Sequence, residues 1–135
     1  MTKKYRFKVD KLIRDKLPGI LQLSGINVFA RVMTQEEYLK YLKKKIIEEA
    51  QEVASTLSDE SLLEELADVL EVIYALATAK GLPMGEIEAY RQRKKADKGG
   101  FANRFYSPVM EIPEGHPKLS DYRSRPFEYP EVKEK

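Results

Sequence analysis

TQEEYLKYLKKKIIEEAQEVASTLSDESLLEELADVLEVIYALATAKG, residues 34–81, carries two helix-start signals and two apolar stripes, and predicts a helical hairpin. In Thr34-Gln35-Glu36-Glu37 the Thr hydroxyl and the Glu three residues later can each satisfy a free amide at a helix start. A helix is predicted from about residue 35 to 57. Ser58 and Asp59 supply the next cap, and the second helix should run to Lys80, where Gly81 stops it.

On a wheel of about 100° per residue, Leu39, Leu42, Ile46, Ala50, Val53 and Leu57 form one stripe of the first helix. Glu49 falls on its border and Glu52 one step further round, while Glu48 points away. On the second helix Leu62, Leu66, Val69, Leu70, Ile73, Leu76 and Ala77 span a wider arc. Glu65 sits on one shoulder of that arc with Asp68 just outside it. An arc this broad calls for a second copy of the chain, as a homodimer or a dimer of dimers.

Outward from the hairpin, Pro83 starts a helix to about Asp97, ended by Gly99-Gly100. On the other side INVFARVM, residues 26–33, alternates apolar positions and reads as a short strand or extended arm. DKLIRDKLPGILQLSG, residues 10–25, reads as a polar turn and a short helix, with Asp15 as its cap, Pro18 in its first turn and Gly25 at its end. Residues 107–135 hold five of the seven prolines and read as an irregular tail, within which His116 is a loop residue. The expected fold is all-α: an antiparallel helical bundle completed by oligomerisation, over residues 1–106, followed by the tail, residues 107–135.

Among 135 residues the formal net charge is only +2, but it is segregated. Residues 1–33 have eight basic and two acidic side chains, residues 34–71 four and eleven, and residues 72–106 seven and three. Near-neutrality overall argues against coating a nucleic acid polymer or an anionic membrane. With no Cys and a single His, a disulfide framework, thiol catalysis and a multi-histidine metal site are all excluded. No run approaches the roughly 20 apolar residues of a membrane span and no signal peptide is visible, so a cytoplasmic location is expected.

The remaining chemistry belongs to carboxylates and bases. Glu49/Glu52 and Glu65/Asp68 are two i,i+3 acid pairs at the edge of the core, where like charges repel. A shared divalent cation would relieve that repulsion, and an oxygen-only donor set selects Mg2+, or Mn2+, over zinc and copper. By spacing alone the same acids also read as a solvated face with i,i+4 partners, Lys45 to Glu49 and Lys44 to Glu48. Two basic clusters weigh against that reading: Lys11, Arg14 and Lys16, and Arg91 to Arg104 around the glycine pair. Acids that hold a cation beside bases that hold phosphate suit a nucleotide polyphosphate. Arg91 and Arg93 also fit a solvated helix end.

KIIEEAQE, residues 45–52, has the form K-x-x-E-E-x-x-E, and EELAD, residues 64–68, has the form E-E-x-x-D. Together they resemble the signature of the all-α nucleoside triphosphate pyrophosphohydrolases, the MazG-like superfamily. KLIRDKLP at 11–18, ELADVLEVIYAL at 65–76 and KGGF at 98–101 resemble its small phosphoribosyl-ATP pyrophosphohydrolase-like branch. The resemblance implies Mg2+-dependent hydrolysis of a nucleoside triphosphate, or a related nucleotide such as phosphoribosyl-ATP, to a monophosphate and pyrophosphate. Clearance of unwanted nucleotides would be a fitting role. Carried over by motif position, Glu49, Glu52, Glu65 and Asp68 are the metal ligands, and Glu48 and Glu49 the catalytic candidates. Lys45, Lys95, Lys98, Arg104, Arg14 and Lys16 are the candidates for the polyphosphate. The rivals are a Mg2+-nucleotide sensor that binds without turnover, and a plain dimerisation module.

Overall fold

The computed structural model describes residues 2–133, which form five helices and, among those residues, no strand. They are α1 (Leu17–Leu23), α2 (Gln35–Ala54), α3 (Asp59–Ala79), α4 (Met84–Lys98) and α5 (Lys118–Arg123). The chain divides into two compact units, Met1–Ala96 and Asp97–Lys135.

The first unit is organised by α2 and α3, which pack broadly on one another. Gln35 at the start of α2 donates to the carbonyl of Ala79 at the end of α3 (3.2 Å), so the pair is antiparallel. The start of α2 is the expected capping box: Thr34 Oγ1 accepts from the Glu37 amide at 3.2 Å, and the Glu37 carboxylate accepts from the Thr34 amide at 3.2 Å. Ser58 caps α3 by accepting from the Ser61 amide. At the far end Gly81, at φ 68°, and Leu82 donate back to Thr78 and Ala77, closing the helix with the left-handed turn that Gly accommodates without strain.

Two local expectations are corrected, and one with two alternatives is decided. Helix α2 stops at Ala54 rather than near residue 57, because the Ser55 and Thr56 hydroxyls donate to the Gln51 and Val53 carbonyls and complete the last turn there. Leu57 therefore lies beyond the helix and is wholly exposed. Asp15 does not cap α1: Lys16 holds that position without a side-chain bond, and the turn before it closes through Leu17 N–H to Arg14 O. Of the two readings of residues 26–33, strand or extended arm, the arm is the one found, because no neighbouring segment among the described residues offers them a hydrogen-bonding ladder.

Burial on the hairpin is narrow. Leu42 (2% exposed) and Ala77 (3%) are buried with Val72 between the helices, and Glu49 (9%) joins them. The wheel placed Glu49 on the border and Ala50 inside. The helix is rolled so that Glu49, two turns on from Leu42, faces α3 while Ala50 and Ile47 face out. The broad arc of α3 is split likewise. Its Leu62, Val69 and Ala77 are covered, as is Val72 outside the arc, whereas Leu66 and Leu70 are each about half exposed and Leu63, also outside it, is 71% exposed.

In the second unit the tail is largely irregular but holds α5, which fits between Pro117 and Pro126 because neither proline falls inside it. His116 Nδ1 accepts from the Lys118 amide, giving that loop residue a capping part. The ring of Tyr122 in α5 lies 4.5 Å from that of Tyr129 beyond the helix, with the Arg125 guanidinium against both.

Candidate active site

The hairpin brings acids from its two helices to one place. Glu49 of α2 and Glu65 and Asp68 of α3 each present a carboxylate oxygen, and these oxygens lie within 4.8 Å of one another. The i,i+3 spacing sets Glu65 and Asp68 side by side on α3, and the roll of α2 brings Glu49 against them. Glu65 is pushed above the usual carboxylate range, first by partial desolvation and then by the charges of Asp68, Glu49, Glu52 and Glu64. Its environment is thus short of positive charge. Glu52, the fourth expected ligand, is exposed and lies outside the tight trio, although its charge is felt at Glu65.

Bases surround the trio on one side. Lys45 Nζ lies 3.1 Å from Glu48 Oε1 and 3.5 Å from Glu49 Oε1, and only 19% of its side chain is exposed. Arg14 Nη2 donates to Asp68 Oδ1 at 2.7 Å across 54 residues of sequence. Lys11 Nζ lies 3.2 Å from Glu48 Oε1. Glu48 therefore does not point away into solvent; it is half-buried beneath the N-terminal segment. Partial burial pushes its carboxyl up, but hydrogen bonds from Lys45 and Lys11 outweigh this and hold it below the usual range.

Of the expected phosphate ligands, Lys45 and Arg14 stand at the carboxylates. Lys16 and Lys95, in the same unit, are exposed and make no ion pair among the described residues. Lys98 and Arg104 belong to the second unit, where Arg104 closes a turn on Phe101 at φ 59°. The solvated reading holds for Arg91, which pairs with Glu88, and for Arg93, which lies over the Tyr90 ring. Lys44 pairs with the Tyr41 ring rather than with Glu48. What the sequence does not reveal is the partner of Lys11: it stands in the basic cluster with Arg14, but no local periodicity ties it to Glu48, 37 positions away.

The donor set suits a hard divalent cation. Three carboxylates converge with no nitrogen or sulfur ligand among them, and Glu65 has no ion-pair partner among the described residues. The first unit is thus an antiparallel helical hairpin with acids from both helices brought together and bases at their edge. Residues 26–95, just over half of the chain, match the family described as phosphoribosyl-ATP pyrophosphohydrolase, and the chain belongs to that family. The match includes Lys45, Glu48, Glu49, Glu52, Glu65, Asp68 and Lys95, while Lys11, Arg14, Lys16, Lys98 and Arg104 lie outside it. No curated protein and no solved structure matches the chain. The family points to a nucleotide pyrophosphohydrolase.

Proposed function

We propose that this protein hydrolyses a nucleoside triphosphate, or a related nucleotide such as phosphoribosyl-ATP, at the α-β phosphoanhydride, releasing pyrophosphate in a Mg2+-dependent reaction. The observation that carries this reading is the convergence of Glu49, Glu65 and Asp68 between two helices with Arg14 and Lys45 at their edge. Glu49, Glu65 and Asp68 would hold the cation, and Glu52, whose charge is felt at Glu65, is proposed as a further ligand. A bound Mg2+ supplies Lewis acidity toward phosphoryl oxygens and toward the attacking water. The chain's own residues then supply position and charge. Lys45 and Arg14 neutralise the polyphosphate, the charge of which shifts to the leaving pyrophosphate. Glu48 orients the Lys45 and Lys11 ammonium groups and, held ionised by both, keeps no proton of its own. Lys16 and Lys95 remain proposed contacts for the polyphosphate.

The half-exposed leucines of α3 support a homodimer or dimer of dimers, in which α3 of one copy covers α3 of another. No helix among the described residues is long and apolar enough to cross a membrane.

A nucleotide panel assayed for pyrophosphate release with Mg2+, with Mn2+ and with excess chelator tests the reading. Metal-dependent release of pyrophosphate and a monophosphate is expected. Mg2+-dependent nucleotide binding without any product would instead select the sensor.

A further inference from the structure

The N-terminal segment crosses the hairpin at the trio. Lys11 is tied to Glu48 on α2 (3.2 Å) and Arg14 to Asp68 on α3 (2.7 Å), so four residues of loop are fastened to both helices. Leu12 and Ile13 between them are half-buried, which seats the segment rather than leaving it on two ion pairs alone. The two fastenings differ in kind. Glu48 lies outside the trio and its carboxylate is shared with Lys45, whereas Asp68 is one of the three converging acids. Arg14 therefore neutralises the very group that would hold the cation, and it does so with 63% of its side chain exposed.

We propose that Arg14 is the internal counter-charge of the carboxylate trio and exchanges with the divalent cation at Asp68, which releases its guanidinium to the nucleotide's phosphates. The inference rests on the metal-site reading above and adds a coupling between cation and N-terminal segment. A cation at the trio makes positive charge beside Asp68 unfavourable for Arg14, by simple Coulomb repulsion at short range. Lys11, fastened to an acid outside the trio, keeps the segment in place, so the freed Arg14 stays within reach of a phosphate on the cation. A planar guanidinium matches two phosphate oxygens at once, which an ammonium group does not. Arg14 is a positioning group before the nucleotide arrives and a phosphate ligand afterwards.

The coupling gives two effects of opposite sign in one variant. Arg14→Gln removes the competitor and should tighten Mn2+ binding to the nucleotide-free protein, measured by calorimetry or by the free-Mn2+ spin-resonance signal. Two- to fivefold is expected, as fits an exposed ion pair, and the gain should shrink in molar salt. The same variant should raise KM for the nucleotide, and Arg14→Lys should restore the Mn2+ affinity of the wild type but not its KM. Mn2+ affinity that is unchanged or weaker in Arg14→Gln, with helical content intact by circular dichroism, overturns the exchange while leaving the metal site standing. A wild-type chain that binds no Mn2+ overturns the metal-site reading and the exchange with it.

Discussion

Glu65 and Leu42 are two single side chains with opposite expected effects on stability. Glu65 is partly desolvated and also repelled by its acidic neighbours, both of which disfavour its charged form in the metal-free fold. Glu65→Gln should therefore abolish metal-dependent pyrophosphate release while leaving the melting temperature in chelator equal or higher. A thermal melt of the two proteins in EDTA checks it, and a clear drop would mean that Glu65 is a structural acid. Leu42 gives the contrasting case, being buried where α2 meets α3. Leu42→Ala should destabilise the protein by roughly 2–5 kcal/mol, read from urea unfolding, because truncation removes transfer energy and leaves a cavity.

At the scale of the element, α2 is held at its start by a device with a pH dependence that can be worked out. Glu37 is lowered to about 2, first by hydrogen bonding from Arg31 and then by the Thr34 amide. Its folded value lies below its ordinary one, so the folded state binds the proton less readily than the unfolded chain. The stabilisation is complete above the ordinary carboxylate value of about 4.5 and is lost as pH falls towards 2. Urea midpoints of wild type and Glu37→Gln should differ at neutral pH and converge on acidification through that window. Thr34→Ala, which removes the reciprocal half of the box, should cost about 1 kcal/mol at neutral pH.

For the whole molecule, the decisive fact is how little of the first unit is buried. One broad helix-helix contact covers Leu42, Val72 and Ala77, while Leu63, Leu66 and Leu70 share an exposed stripe of α3. Such a stripe is the surface a second copy would cover, and it runs along the same helix that carries Glu65 and Asp68. Substituting Leu66 and Leu70 together by Asp should yield a smaller species by sedimentation and a lower melting temperature. In the wild type the melting temperature should rise with protein concentration. Unchanged sedimentation of the double variant would place the contact between copies elsewhere.

The sequence by itself determined the α2–α3 hairpin, the caps at Thr34 and Ser58 and the order of the acids along the two helices, because these are written in neighbours three or four positions apart. Thr34 with Glu37, Ser58 before Asp59, and Gly81 after Lys80 are local signals whose partners lie within one turn. Local spacing also put Glu49, Glu65 and Asp68 near the hairpin seam. Only the tertiary structure decided the roll of α2, which turns Glu49 inward, leaves Glu52 outside the trio and exposes Ala50. Periodicity names a stripe, but the angle at which that stripe meets its partner is set by packing against α3. The placement of Lys11 on Glu48 and Arg14 on Asp68 was likewise decided in three dimensions, since those groups sit in a loop without a helical repeat and meet acids tens of residues away.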